Sequence, residues 1–210
     1  MLKVLVVDDH IVVRKGVRQI LSDVDDIVVG AEASDGHQAL SQIREEDYDV
    51  ILLDISMPGV SGLDVLKRMK AEEPQLPVLL LSMYLEEQYA VRTLRAGASG
   101  YLTKESAPDE LISAIRKVCQ GEKYVTASLA EKLAVHLGAD VERPLHELLS
   151  DREYQVVTLI ASGKTVSQIA AELSLSVKTV STHRSRALEK MGMKTNAEFT
   201  YYAVTHGLVS

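Results

Sequence analysis

Five times within the first 121 residues, a short unbroken apolar run is followed by a stretch in which apolar positions recur every three or four residues. The runs are Leu2 to Val7, Ile27 to Ala33, Val50 to Leu53, Pro77 to Ser82 and Gly100 to Thr103. Continuous Val, Leu and Ile, rather than strict alternation, suits parallel strands covered on both faces. The intervening stretches read as amphipathic helices. Val12, Val13, Val17, Ile20 and Leu21 share helical spacing, with Arg14, Lys15 and Arg18 among them, and Asp35-Gly36 opens a helix carrying Ala39, Leu40 and Ile43. After a turn at Met57-Pro58-Gly59, a helix with Leu63, Val65, Leu66 and Met69 stops before Pro74. Two more, Glu86 to Ala96 and Ala107 to Gln120, end at Gly97 and Gly121.

Strand followed by helix, repeated, implies a parallel sheet between two helix layers. Crossover handedness narrows the topologies to a handful, among them the flavodoxin-like, doubly wound, five-stranded sheet. From residue 122 the alternation stops. Leu129, Leu133 and Leu137 recur every four residues and predict a linker helix ahead of Gly138 and Pro144. Residues 149–210 show no strand pattern but three or four short helices, which predicts a small all-α domain. The expected division is 1–121, 122–148 and 149–210.

Charge follows the same division. The net charge of −7 combines −7 over residues 1–121, −2 over 122–148 and +2 over 149–210. Only the last segment is basic, which is compatible with an acidic signalling part and a nucleic-acid-binding tail, although a difference of this size is weak evidence alone. The single cysteine, Cys119, excludes an internal disulfide and is expected half-buried on a helix. With no long uncharged apolar segment and no secretory leader, the chain reads as cytoplasmic.

The candidate chemistry lies at the ends of the runs. Asp8 and Asp9 follow the first and Asp54 ends the third. In open α/β sheets the carboxyl ends of the strands form the working edge, so the three carboxylates meet there. Like charges at such range need a cation, and carboxylates with waters suit magnesium (Mg2+). Asp54, on the central strand, is then the phosphoacceptor, with Asp8, Asp9 and the backbone carbonyl of Ser56 holding the ion. Phosphoryl transfer spreads negative charge over equatorial oxygens, which call for a cation and a hydroxyl donor. Lys104, after the fifth run, and Ser82, ending the fourth, supply them. Taken singly, these residues have plainer roles: Asp8 and Asp9 as helix caps, Lys104 as a solvated charge, Ser82 as a turn former, Tyr101 as core packing. His10 is given no chemistry.

Beyond residue 148, Ser150 with Glu153 forms a reciprocal capping pair ahead of Val156, Val157, Leu159 and Ile160. Thr165 to Leu173 gives a short helix with Ile169, Ala170 and Leu173 inward. Ser174-Leu175-Ser176 makes a tight turn, and Val177 to about Met191 gives a helix with Val180, Ala187, Leu188 and Met191 inward. The outer face of this last helix is polar and basic over Lys178 to Arg186. Two short helices joined by a tight turn suit insertion of the second into a DNA major groove. A solvated surface is the plain alternative.

Two resemblances cover the chain. The paired acids, the Asp54-Ile-Ser-Met-Pro-Gly turn with Gly62 beyond it, Ser82, Tyr101 and Thr103-Lys104 resemble, in order, the receiver domain of two-component response regulators. Ser-Asp-Arg-Glu at 150–153, Gly163, Ile169-Ala170, Ser176-Val-Lys-Thr-Val180, His183 and Leu188 through Gly192 resemble the LuxR-type helix-turn-helix. Together these are features of the NarL/FixJ type of DNA-binding response regulator. The resemblance implies that a sensor histidine kinase donates phosphate to Asp54. It implies that Ser82 and Tyr101 form the switch pair, Ser82 drawn toward the phosphate and Tyr101 turning into the vacated space. Ser181, Thr182 and Ser185 would face bases, while Lys178, Thr179, His183, Arg184 and Arg186 suit phosphates. A final helix, Ala197 to His206, carries Phe199, Tyr202, Ala203 and Val204 with Tyr201 exposed, and in the family it pairs two such domains. Tyr201 and Tyr202 are the candidate dimerisation residues, since one small module binds DNA weakly at cellular salt. The expected partners are a sensor kinase, promoter DNA, a second copy of the chain and RNA polymerase, with no membrane.

Two other classes fit part of the pattern. A metal-dependent phosphatase with Asp54 as covalent nucleophile also needs clustered acids and a lysine, but the short strand-to-helix connections leave little to enclose an organic substrate. A DNA-binding protein with a vestigial receiver would not need the full acid set and Lys104.

Overall fold

A computed structural model describes residues 1–57, 60–83, 86–126, 130 and 144–209, with the backbone alone at 86–88. It divides into two compact units within the stretch 131–143.

The first unit alternates β1 (Leu2–Val7), α1 (Ile11–Ser22), β2 (Ile27–Ala33), α2 (Gly36–Glu45), β3 (Val50–Asp54), α3 (Gly62–Glu72), β4 (Val78–Ser82), α4 (Glu86–Arg95), β5 (Gly100–Thr103) and α5 (Pro108–Cys119). The strands are all parallel in the order β2-β1-β3-β4-β5, the flavodoxin-like doubly wound order expected. Every residue of β3 and β4 is buried, which is why those runs show no alternation. One face of the sheet packs Val4, Val6, Val50, Leu52, Leu79 and Leu81 against Val17 and Leu21 of α1 and Leu111, Ile115 and Val118 of α5. Helix starts follow local chemistry: Asp35 accepts from the His37 and Gln38 amides, Ser61 accepts from the Asp64 amide, and Pro108 stands in the first turn of α5.

Three details depart from the sequence pattern. Val12, placed on the apolar stripe of α1, is 78% exposed, because Val13 and Val17 take the inward positions. The β1–β2 pairing shifts by one residue, from Val4 opposite Val29 to Leu5 opposite Ala31, so Gly30 bulges out of the ladder. The chain also stays with the sheet past Gly121, since Tyr124 bridges to Gly100 and its hydroxyl donates to Glu110 at 2.9 Å. The linker-helix leucines 129, 133 and 137, and Pro58-Gly59 of the expected turn, lie outside the described residues.

The second unit consists of a 3₁₀ turn (Leu145–Leu148) and helices α6 (Asp151–Ala161), α7 (Val166–Glu172), α8 (Val177–Met191) and α9 (Asn196–Thr205). Reciprocal capping boxes start α6 (Ser150/Glu153), α7 (Thr165/Gln168) and α9 (Thr195/Glu198), while Ser176 caps α8. Ser174 adopts φ 51°, the left-handed conformation that closes the tight turn between α7 and α8. Val156, Val157, Ile169, Val180, Ala187, Phe199 and Ala203 form the core. Val204, read with the apolar positions of the last helix, is 59% exposed. Among the described residues, no helix is long and apolar enough to cross a membrane.

Candidate functional site

The carboxyl ends of β1, β3, β4 and β5 converge as the topology requires. Asp54 pairs in register with Leu81 and Ser82 with Thr103, so Asp54, Ser82 and Lys104 reach one rim. The Lys104 amide donates to the Ser82 carbonyl at 2.8 Å, fixing the β5 end beside the β4 end. Lys104 extends its ammonium to 2.7 Å from Asp8 Oδ2 and 2.9 Å from Asp54 Oδ2. All three groups are withdrawn from solvent, with side-chain exposures of 6% for Lys104 and 1% for each acid.

The angles of these contacts leave Asp8 Oδ2 and Asp54 Oδ2, together with Asp9 Oδ1, buried without an aligned hydrogen bond. Oxygen atoms from Asp8, Asp9 and Asp54 and a ring nitrogen of His10 all lie within 4.8 Å of one another. Three carboxylates against one ammonium leave an excess of about two negative charges in a water-poor pocket, the situation a hard divalent cation relieves. The donor set therefore fits Mg2+. Burial pushes the Asp54 carboxyl above its ordinary range and Asp8 adds to the push, while Lys104 opposes it. For Lys104, burial works against the charged form, but Asp54 and Asp8 outweigh it and hold the ammonium above its ordinary value.

Ser56 donates its amide to Asp54 Oδ1 at 3.1 Å and keeps its hydroxyl oxygen buried without a partner. Ser82 and Tyr101 are both buried, at 0% and 1% exposure. His10 occupies the N-cap position of α1, where its amide donates to Asp8 Oδ1 at 2.9 Å and its Nδ1 lies 2.9 Å from Asp9 Oδ1. Neither Asp8 nor Asp9 caps α1, so the plainer reading of them as N-caps does not hold.

Sequence reasoning gave Arg14 only a place on the polar face of α1. Its guanidinium donates to the Asp8 backbone carbonyl at 2.7 Å and to Glu32 at 3.2 Å. The place of Arg14, five residues after Asp9 and near the start of the helix that follows the acids, was the signal for it.

On the second unit, Lys178, Ser181, Thr182, Ser185 and Arg186 of α8 are exposed together. Thr182 spends its hydroxyl proton on the Lys178 carbonyl at 2.9 Å, and Thr179 lies against Ser176 in the cap. Arg184 donates to Asn196 at the start of α9. His183 is half-buried with Nδ1 lacking a partner, and burial, helped by the charges of Arg152 and Arg186 and opposed by Glu153, lowers its pKa. Glu153 closes the α6 capping box and also receives Lys190 of α8 at 2.6 Å. Tyr201 is 76% exposed, whereas Tyr202 is buried, its hydroxyl 3.0 Å from His146 Nδ1.

Known proteins share both halves. Residues 4–116 match the family described as the response regulator receiver domain, and residues 147–203 match the luxR family of bacterial regulatory proteins. Response regulator UvrY of Escherichia coli K12 is 37% identical over 209 residues, covering 99% of this chain and 96% of that protein. Response regulator GacA of Pseudomonas syringae pv. syringae is 38% identical over 210 residues, covering 100% and 98%. The structure of RcsB from Salmonella enterica serovar Typhimurium bound to promoter rprA in the presence of phosphomimetic BeF3− aligns with a TM-score of 0.65 at 27% identity, covering 96% of this chain and 97% of that one. The response regulator ChrA of a heme-sensing two-component system aligns at 0.53 with 32% identity, covering 99% and 98%.

Proposed function

Because the chain belongs to the response regulators that join a receiver domain to a LuxR-type DNA-binding domain, we propose that it captures a phosphoryl group on Asp54 and thereby changes how its C-terminal helices engage promoter DNA. It is a DNA-binding transcription regulator of the NarL/FixJ type. The observation that carries the finer reading is the meeting of Asp8, Asp54 and Lys104, with contacts of 2.7 and 2.9 Å, at the end of the central strand.

Asp8, Asp9 and Asp54, with the Ser56 carbonyl, would hold Mg2+. Bound there, the ion supplies positive charge to the equatorial oxygens of the phosphoryl group in transfer. Asp54 presents its carboxylate as nucleophile, forming an acyl phosphate as the bond to the donor, a histidine of the sensor kinase, breaks. Lys104 has its ammonium placed between Asp8 and Asp54, where it can turn to a phosphoryl oxygen once Asp54 is phosphorylated. Ser82 brings a hydroxyl to the same rim, and its movement toward the phosphate would free space into which Tyr101 turns. The phosphoryl group carries roughly 1.5 to 2 negative charges in place of the one on the Asp54 carboxylate, a net gain of about one or less in a site already in excess of them.

Lys178, Arg184 and Arg186 would serve phosphates and Ser181 and Ser185 base edges, with Thr182 contributing its methyl and hydroxyl oxygen, since its proton is already donated. Thr179 and His183 keep the positions assigned to phosphates, though His183 would donate from a neutral ring. The α9 helix would pair two copies through exposed Tyr201, with Tyr202 holding the 3₁₀ turn from the inside. The protein would act in the cytoplasm, with RNA polymerase among its contacts at the promoter. The divisions 1–121, 122–148 and 149–210 are proposed as receiver, connector and DNA-binding parts.

The test is intact-protein mass after incubation with a small phosphodonor and Mg2+. An adduct of one phosphoryl group that is lost in Asp54→Asn supports the reading, and rapid turnover of the donor without a lasting adduct supports a phosphatase instead. Footprints on promoter DNA that do not respond to phosphorylation would remove the switch.

A further inference from the structure

Strand β2 contributes no side chain to the acid pocket, yet Ala33 bonds the Asp8 amide directly and Glu32 reaches the Asp8–Asp9 peptide through Arg14. The Asp8 amide donates to the Ala33 carbonyl at 3.1 Å, and the Asp8 carbonyl accepts from Arg14 Nη1 at 2.7 Å. Arg14 is aimed by Glu32, which receives its Nε at 3.2 Å and also receives Nε of Arg18 at 2.7 Å. The Arg14 side chain is only 13% exposed and Glu32 24%, so the contact is partly shielded from water and salt.

Glu32 points toward α1 only because of the Gly30 bulge. Before it, Ile27 and Val29 join the cluster that Val4, Val6 and α1 share. Simple alternation would put Ala31 next on that face and send Glu32 to the other. The one-residue shift instead sets Glu32 opposite Val6, on the α1 side, where both arginines meet it. A bulge in an edge strand thus re-aims a charged side chain next to a functional loop.

We propose that Arg14, held by Glu32, is a positioning residue that fixes the Asp8–Asp9 peptide so that both carboxylates face the cation site. This rests on the reading of the pocket as an Mg2+ site. Asp8 is held independently by Lys104 and by the His10 amide, whereas Asp9 is partly exposed and has only the misaligned 2.9 Å contact of its Oδ1 with the exposed His10 ring, so the peptide plane before it is the firmer constraint on its direction. Groups that orient metal ligands through a hydrogen bond change affinity by roughly tenfold to a hundredfold when removed.

The experiment is calorimetric titration of Mg2+ into the full chain as wild type, Arg14→Gln, Arg14→Lys and Glu32→Gln, with urea unfolding in parallel to confirm that each is folded. The expected result is a rise of about tenfold or more in the Mg2+ dissociation constant for Arg14→Gln and a smaller rise for Glu32→Gln. Arg14→Lys should lie between wild type and Arg14→Gln, because a lysine keeps the charge but cannot hold carbonyl and carboxylate in one planar fork. Variants that lose stability yet bind Mg2+ as the wild type does would overturn the proposal and leave Arg14 a structural residue. A wild type that binds no Mg2+ would overturn the pocket reading, and this proposal with it.

Discussion

A β-carbon built on Gly62 would stand 1.9 Å from the backbone carbonyl oxygen of Asp54, so the first residue of α3 packs directly on the backbone of the proposed phosphoacceptor. The Gly62 amide donates to the Ile55 carbonyl at 3.0 Å, which locks the approach. Backbone cannot give way as a side-chain tip can. Gly62→Ala is expected to cost about 3 kcal/mol, the upper end of overpacking penalties, and to slow phosphoryl capture by displacing Asp54. Urea unfolding and the rate of adduct formation by mass check it, and an alanine variant that matches wild type in both would contradict the packing.

Lys104 screens two buried carboxylates. In Lys104→Gln these face each other without the ammonium, and removing one partner of a buried ion pair costs about 3 kcal/mol. The loss should appear in urea unfolding without divalent ions and shrink when Mg2+ is saturating, because carboxylates freed of the ammonium bind the cation more tightly than in the wild type and so gain more stability from it. A variant whose unfolding midpoint equals the wild type's without Mg2+ would mean that Lys104 does not carry this screening.

Glu153 ties two helices, closing the capping box of α6 and receiving Lys190 of α8. Glu153→Ala should lower the stability of the C-terminal unit by about 1 to 2 kcal/mol, the range of lost caps. Weaker DNA binding should accompany it, since α8 is anchored there. Lys190→Ala should cost less, because the lysine is largely exposed and such pairs contribute under about 1 kcal/mol. Equal losses would show that the ion pair, not the cap, dominates.

His183 sets a pH dependence. Burial depresses its folded-state pKa below the ordinary 6.5, so between the two values the unfolded chain binds more protons than the folded one. Stability from this group is complete above about pH 6.5 and falls as pH drops below it. Urea midpoints measured from pH 8 to 5 should show a steeper decline in wild type than in His183→Gln, and parallel curves would sink the assignment.

Cys119 should be inert. Burial, with Asp49 nearby, pushes its thiol from 9.0 up to about 11. The thiolate share at pH 8 is then about a hundredfold below that of an unperturbed thiol, and alkylation depends on that share. Iodoacetamide labelling followed by mass should be slow in the folded protein and should accelerate in urea, and fast labelling when folded would refute the burial.

Much of the fold was legible because its strands are buried on both faces and therefore written as unbroken apolar runs. The strand ends, and with them Asp8, Asp54, Ser82 and Lys104, followed from the topology alone. Where the sequence pattern failed, a non-local cause decided. Val12 and Val13 stand about 100° apart on α1, and how far the sheet covers that helix decides that only Val13 turns inward. Tyr124 joins the sheet through one bridge that leaves no periodic trace. Tyr201 and Tyr202, adjacent on α9, point about 100° apart, and the 3₁₀ turn with His146 determines which is covered. Glu32 reads as a polar position on an edge strand until the register slip at Gly30 is known.

The seat of Val50–Asp54 in the middle of the sheet has its own outcome. A phosphoryl group at the tip of that strand, as proposed, would have the acid loop after β1 on one hand and the rim that carries Ser82 on the other. Lys104, bonded to the Ser82 end through its amide and to Asp8 through its ammonium, ties the two flanks together, so a change on one side is relayed to the other.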